Sequence, residues 1–335
     1  MDDVIPTLPA EEVSIDLALR PGAWDEYVGQ ATVKRNLRVM IDAAAKREEP
    51  MDHLLFAGPA GLGKTTLAFL TAKAFGAQVR LTSGPALERA GDLAALLTNL
   101  EPNDVLFIDE IHRMNRAIEE VLYPAMESRK LPLIVGKGPS ARSLVLDLPP
   151  FTLLGATTRE NLLSHPLRTR FGAILRLDYY APEEIGRIIE RNAGLLGIAI
   201  TPEAAAFLAG ASRATPRVAN RLLRRARDLA EVRGKTAIDR EAAEETLAML
   251  DVDHQGLEPQ DRLLLRTIAE KYRGGPVGIA TLSAALSEDR GVIEEIYEPF
   301  LMSIGFLQRT PGGRVLLPEA YAHLGLEEPE RSLFS

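Results

Sequence analysis

The chain has 335 residues, 46% of them hydrophobic and 26% charged, which bounds it to a folded protein of two or three domains. The absence of cysteine excludes disulfides, cysteine–zinc sites and thiol catalysis, and it suits a reducing compartment. A net charge of −8 argues against a surface that coats nucleic acid, so any such contact must be local or come from one face of a ring of subunits.

The N-terminal run MDDVIPTLPAEE is acidic and has no basic region followed by an apolar core, so no signal peptide is expected. No apolar run approaches the ~20 residues needed to span a bilayer. A cytoplasmic protein with no membrane partner is expected.

Residues 1–181 alternate short apolar runs with helical patterns. The expected strands are His53–Ala57, Val79–Thr82, Val105–Ile108 and Thr152–Gly155, and the expected helices are Ala31–Lys46, Thr65–Phe75 and Asp92–Asn99. This alternation predicts an α/β domain with a parallel sheet covered by helices on both faces.

Gly58 to Thr66 read GPAGLGKTT, which fits the phosphate-binding pattern of Gly, four residues, Gly, Lys and Ser or Thr. Gly58, Gly61 and Gly63 free the backbone to point amides at phosphate oxygens. Lys64 is placed to neutralise the terminal phosphates and Thr65 to bind Mg²⁺. A strand precedes the loop and a helix follows it, which is the setting an anion site requires. A nucleoside triphosphate, ATP, is the expected ligand.

Val105 to Glu110 read VLFIDE, an apolar strand ending in two carboxylates. Asp109 is placed to hold the Mg²⁺ shell, and Glu110 to orient and deprotonate a water. The next strand ends in Thr157-Thr158, which reads equally as a γ-phosphate sensor and as a turn. Pro166-Leu-Arg168-Thr-Arg170 offers two arginines, either solvated or able to reach a neighbouring subunit's nucleotide.

Leu131–Val135 and Arg142–Leu148 read as a hairpin spanning 130–148. Unless they pack on the sheet, Leu131, Leu133, Ile134 and Val135 form an apolar patch of the kind that marks a partner site.

From Pro182 to Val252 the pattern is helical, giving a second domain at 182–252. Arg213, Arg217, Arg221 and Arg225 recur every four residues, a row that either faces solvent or reaches triphosphate or DNA.

The third domain, 253–335, has expected helices at Gln260–Tyr272, Ile279–Ser287 and Val292–Ile304. A strand, Pro-Gly-Gly turn and strand follow, which is the outline of a winged helix. Arg309 and Arg314 flank the turn and suit phosphate contact. Residues 254–335 hold eight Lys/Arg against twelve Asp/Glu, so such contact is narrow.

Phosphate loop, Asp-Glu strand, threonine pair, arginine pair and helical lid together resemble an AAA+ ATPase. The match narrows at Leu19-Arg20-Pro, Asp25-Glu-Tyr27-Val-Gly-Gln, Asp109-Glu-Ile-His-Arg, Gly155-Ala-Thr-Thr-Arg and Pro166-Leu-Arg-Thr-Arg-Phe-Gly. Gly274-Gly-Pro-Val-Gly and Arg309-Thr-Pro-Gly-Gly-Arg extend it. These segments resemble the RuvB family, whose members drive Holliday-junction branch migration.

The resemblance implies an AAA+ core, a helical lid and a winged-helix DNA-binding head. It implies a base side built from Leu19, Arg20, Tyr27, Val28 and Tyr180, and phosphate and metal contacts at Gly61, Gly63, Lys64, Thr65, Thr66 and Asp109. It makes Thr158 the first sensor, Arg170 the finger acting on the neighbour, and Arg217 the second sensor. Glu127, Ser128 and Arg129 would reach a neighbour's nucleotide, although the family usually has Asp and an aromatic after Glu127. Arg309 and Arg314 would touch DNA, and the hairpin would dock RuvA. Similar proteins form hexameric rings around double-stranded DNA at Holliday junctions, with RuvC as resolvase.

Two other readings are weighed. A clamp-loader-like machine would lack the winged helix after the lid. An ATP-gated regulator would read bases, but the helix at 292–304 would present Glu294, Glu295 and Glu298, a poor surface for that.

Overall fold

The computed structural model describes residues 18–135 and 142–328. The acidic N-terminal run and the hairpin's turn lie outside the described residues. The chain divides into two compact units, Met1–Tyr180 and Ala181–Ser335.

The first unit contains β1 (Leu54–Ala57), β2 (Val79–Ser83), β3 (Val105–Asp109), β4 (Lys130–Val135), β5 (Arg142–Asp147), β6 (Thr152–Thr157) and β7 (Ala173–Arg176). Five of them form a parallel sheet in the order β2-β3-β6-β1-β7. β1 and β6 are buried at every position, and β3 at all but its last. Strands covered on both faces must be apolar throughout, which is why these runs do not alternate.

The registers Ser83↔Asp109, Ile108↔Gly155 and Ala57↔Thr157 bring the strand C-termini to one edge. Strands β1 and β2 are consecutive in sequence yet lie apart in the sheet, the crossing that opens a ligand crevice at that edge.

The helices Ala31–Arg47, Lys64–Phe75 and Ala90–Thr98 lie within two residues of expectation. Two of the elements that were not expected are informative. β7 is a short edge strand with only Leu175 buried, too weak a pattern to read. The helix Arg116–Ser128 contains Pro124, which reads as a breaker. It persists because Ile118, Leu122, Ala125 and Met126 bury one face and the Asn115 side chain caps the Ile118 amide.

β4 and β5 form the antiparallel hairpin, from Lys130↔Asp147 to Val135↔Arg142. Leu131 does not belong to an exposed patch: it is fully buried in the core with Leu122, Leu148 and Phe151. The expected patch at Leu133, Ile134 and Val135 falls on side chains outside those described. On the partner strand, Leu144 and Val145 are exposed.

In the second unit, the helices Pro182–Leu195, Pro202–Gly210, Pro216–Val232 and Arg240–Met249 pack with a two-residue parallel pair, β8 (Ala199–Ile200) and β9 (Ala237–Ile238). The first three begin with proline, where the missing N–H costs nothing.

After them come the helix Pro259–Arg266 with a π turn to Lys271, the helix Ile279–Leu286, and a run of helix from Arg290 to Ser303 with a π segment at Ile293–Tyr297. β10 (Leu307–Thr310) and β11 (Gly313–Leu316) form the wing. Val277 pairs with Arg314 as a third, one-residue strand, and a last helix, Pro318–Leu324, follows. Leu264, Ile268, Leu282, Ile293, Leu301 and Leu316 centre this core.

Of the arginine row, only Arg213 is turned inward; Arg217 and Arg221 are exposed and Arg225 is partly so. Arg213 precedes its helix in the left-handed region (φ 54°), pairs with buried Asp261, donates to the Gly256 carbonyl and lies 4.6 Å from the Phe300 ring. Arg221 pairs with Glu258, and Arg225 with Asp228. The Arg213 and Arg221 pairs, with Arg262–Asp251 (2.6 Å) and His323–Asp253 (2.7 Å), join the helical segment to the winged-helix segment, whereas Arg225–Asp228 lies within one helix. Of the four, only the exposed Arg217 makes no side-chain hydrogen bond or ion pair among the described residues.

Candidate functional site

β1 runs into the glycine loop, where Gly61 and Gly63 hold φ of 81° and 93°. A Cβ at Gly63 would stand 2.8 Å from the Tyr27 hydroxyl, so only glycine fits there. The helix that follows has no side-chain cap. Its N-cap is Gly63, which has no side chain, so the amides of the first turn stand at the positive end of the helix dipole with no capping side chain over them. This donor set fits a polyphosphate. The buried Lys64 ammonium donates to the Gly58 and Pro59 carbonyls, 2.8 Å each, and so lies along the loop.

The carboxylates stand at the same sheet edge. Asp109 accepts the Glu110 amide at 2.9 Å. Glu110 holds φ 46°, a strained conformation for a residue with a Cβ and of the kind that gathers at functional sites. The Thr158 hydroxyl donates to Glu110 Oε2 at 3.1 Å. His112 Nδ1 lies 3.2 Å from the same oxygen and 2.9 Å from Thr157 Oγ1.

Thr157 is buried and also accepts the Arg159 amide. The threonine pair therefore divides: Thr157 is folded in, and Thr158 faces Glu110. Sequence reasoning missed His112, although it stands two residues beyond Glu110, because a lone histidine in a 3₁₀ turn carries no spacing signal.

Arg170 is held rather than loose. It donates to the Pro166 carbonyl (2.8 Å) and to Glu127 (3.0 Å), and its guanidinium lies 4.8 Å from the Tyr123 ring centroid. Tyr123 is fixed in turn by Glu119 (2.9 Å) and Ser164 (2.8 Å), residues the sequence did not mark. Burial, chiefly, and its hydrogen bond to Glu119 raise the Tyr123 phenol above its usual value.

Glu127 thus meets Arg170 within this chain. Ser128 and Arg129 close the helix: the Ser128 hydroxyl donates to the Pro124 carbonyl, and Arg129, at φ 56°, is exposed. Arg168 makes no side-chain hydrogen bond or ion pair among the described residues.

Of the residues expected on the base side, Tyr27 and Tyr180 meet at the glycine loop. Tyr27 and Tyr180 are buried, their hydroxyls 3.0 Å apart, and each reaches the Leu62 carbonyl at 3.3 Å. Burial first, and Tyr180 second, raise the Tyr27 phenol well above its usual value, so it stays a neutral donor. Leu19 is buried, Val28 is half-buried, and the Arg20 guanidinium lies 5.9 Å from the Phe69 ring.

In the wing, Arg309 and Arg314 stand directly opposite each other on β10 and β11. They do not both project from a tip. Arg314 is buried, and both bind Glu298, which the sequence placed on the helix surface and the structure buries completely. The helix can carry this acid inward because two guanidinium groups converge on it. Burial would lower the Arg314 guanidinium pKa, but Glu298 and Glu294 outweigh it and raise the value.

Comparisons with known proteins agree with this layout. Residues 19–177 match the model of the Holliday junction DNA helicase RuvB P-loop domain, 180–253 that of the RuvB AAA lid domain, and 254–325 that of the RuvB C-terminal winged helix domain. The Holliday junction branch migration complex subunit RuvB of Chloroflexus aggregans is 55% identical over 330 residues, covering 98% of this chain and 94% of that protein. Its counterpart in Chloroflexus aurantiacus is 54% identical over the same length. The solved structure of the Thermotoga maritima RuvB Holliday junction branch migration motor superposes with a TM-score of 0.86 at 47% identity, covering 93% of this chain and all of that one. With an AAA+ sheet, a helical lid and a winged helix matched in order, this chain belongs to the RuvB family.

Proposed function

We propose that this chain is an ATP-hydrolysing motor that drives Holliday-junction branch migration in recombination and DNA repair. The observation that carries the reading is the single sheet edge holding the uncapped glycine-loop helix, Asp109, Glu110 and Thr158 together, in a chain 55% identical to a RuvB of the branch migration complex.

ATP supplies the γ-phosphoryl group, and Mg²⁺, when bound, neutralises the charge that develops on it. The amides of Gly61, Gly63, Lys64, Thr65 and Thr66 cradle the phosphates, and Lys64 exchanges loop carbonyls for phosphate oxygens. Thr65 and Asp109 would hold the metal, which would supply charge neutralisation at the phosphates. Glu110 orients and deprotonates the attacking water, and Thr158, already bonded to Glu110, links that carboxylate to the γ-phosphate. Leu19, Arg20, Tyr27, Val28 and Tyr180 line the base side.

Arg170, with Glu127, Ser128 and Arg129 on the same edge, serves the nucleotide of the next subunit in a homohexameric ring. Arg217 serves as the second sensor from a lid at 182–252, between an ATPase domain at 1–181 and a head at 253–335. The wing contacts double-stranded DNA, the hairpin docks RuvA, RuvC resolves the junction, and the assembly works in the cytoplasm.

The shared site is tested by mixing. Arg170→Ala subunits should bind ATP normally yet lower the turnover of mixed rings more steeply than their fraction. A loss proportional to that fraction would remove the trans role.

A further inference from the structure

The Arg170 guanidinium touches three groups of its own chain. Nη1 donates to the Pro166 carbonyl at 2.8 Å and Nη2 to Glu127 Oε2 at 3.0 Å, and the group lies 4.8 Å from the Tyr123 ring centroid. The three differ in what they can fix. The Glu127 pair is open to water, with 68% of the glutamate side chain exposed, so its hold is weak. Pro166 belongs to the short turn just before Arg170 and moves with it. Only the Tyr123 ring is both half-buried and carried by another element, the helix Arg116–Ser128.

Tyr123 is itself locked. Its hydroxyl donates to Glu119 Oε2 at 2.9 Å and lies 2.8 Å from Ser164 Oγ, which donates to the same carboxylate oxygen at 2.5 Å. Glu119 is buried, and a buried carboxylate is costly unless hydrogen-bonded, so both hydroxyls are tied to it. Ser164 also accepts the Leu167 amide at 3.3 Å, capping the turn His165–Arg168, and the Arg170 amide donates to the Leu167 carbonyl. One carboxylate thus fixes both the ring and the backbone turn that leads to Arg170. Arg170 Nε is buried without a hydrogen bond among the described residues, so packing holds that end of the guanidinium.

We infer that Tyr123 is the positioning residue of Arg170: Glu119 and Ser164 lock its ring, and the ring sets the plane of the guanidinium offered to the neighbouring subunit's nucleotide. This rests on the proposal that Arg170 acts in trans, and it names the residues that give that arginine its geometry. A guanidinium carries its donors in one rigid plane, so a tilt misdirects all of them at once. An arginine that stabilises transition-state charge then loses rate, while ATP binding, which it does not supply, stays intact.

The test is steady-state ATP turnover by the full chain, with thermal melting as the control for folding. Tyr123→Leu should lower kcat about ten- to a hundredfold and leave KM for ATP unchanged. Tyr123→Phe, which keeps the ring but loses its bonds to Glu119 and Ser164, should lose less. In an Arg170→Ala background Tyr123→Leu should lower the residual turnover no further, because Tyr123 acts only through Arg170. Mixed rings give the sharpest readout. Lys64→Ala subunits cannot turn over ATP but carry an intact Arg170 on an intact Tyr123. Added to Tyr123→Leu subunits they should restore part of the turnover, as they should for Arg170→Ala subunits.

Rescue of Arg170→Ala but not of Tyr123→Leu would leave the trans arginine standing and overturn the role of Tyr123. So would a further loss when Tyr123→Leu is added to Arg170→Ala, or a raised KM with kcat unchanged. Failure of both variants to be rescued would instead remove the trans role of Arg170, and this proposal with it. If Tyr123→Leu fails to fold, Tyr123→Phe in the same backgrounds and mixtures decides the matter.

Discussion

Replacing Arg213 with Met should destabilise the second unit by about 3–5 kcal/mol at pH 7, the usual cost of leaving one charge of a buried pair alone. The size follows from what Asp261 would keep. The carboxylate is fully buried, and its Oδ2 would retain only the Glu258 amide at 2.8 Å, while Oδ1 already lacks a partner. The stack of Arg213 on Phe300 and its bond to the Gly256 carbonyl would go as well. Met keeps most of the aliphatic volume, so the loss is chiefly electrostatic. Removing both charges, with Arg213→Met and Asp261→Asn, should cost only about 1–2 kcal/mol, because no buried charge is stranded.

The pH dependence has a definite sign. Burial raises the Asp261 carboxyl above its usual value, and Arg213 opposes that rise. An acid with a raised folded pKa binds its proton more tightly when folded, so it weakens stability above that pKa and ceases to do so below the unfolded value of about 4. Loss of Arg213 raises the carboxyl further. The gap between wild type and Arg213→Met, read from denaturant titrations, should therefore narrow as pH falls from 8 towards 4. A constant gap, or a double variant as unstable as the single, would refute the stranded-charge argument.

Lys64→Ala should abolish ATP turnover, and unchanged steady-state turnover would sink the phosphate assignment. Gly63→Ala should lose nucleotide binding as well, since a Cβ would meet the Tyr27 hydroxyl at 2.8 Å with φ at 93°; a nucleotide titration with wild-type affinity would contradict the loop geometry. His112→Ala should lower turnover while leaving ATP affinity unchanged, because the ring touches Glu110 and Thr157; weakened affinity with normal turnover would place the histidine elsewhere in the cycle.

Contiguous chemistry was legible in the sequence. GPAGLGKTT and VLFIDE each carry their function within a few neighbouring residues, and the apolar runs around them set the strands. Choices between partners distant in sequence were not legible. Spacing put Arg213, Arg221 and Arg225 in a row, but their carboxylates lie at 261, 258 and 228, and two of these belong to a later segment. Glu298 read as a surface acid because nothing local shows that β10 and β11 fold over it. Arg170 stood out as one of a pair, whereas its support by Tyr123, Glu119 and Ser164 is a tertiary arrangement built on a helix that Pro124 concealed.

The most direct test of the account is migration of a synthetic four-way junction by the purified chain, with and without RuvA, comparing ATP with a non-hydrolysable analogue and wild type with Glu110→Gln. The account predicts that branches move only with ATP and the intact Glu110, while the analogue and the variant still support nucleotide-dependent DNA binding. Equal migration with the analogue, or by Glu110→Gln, would contradict a motor driven by hydrolysis at this site.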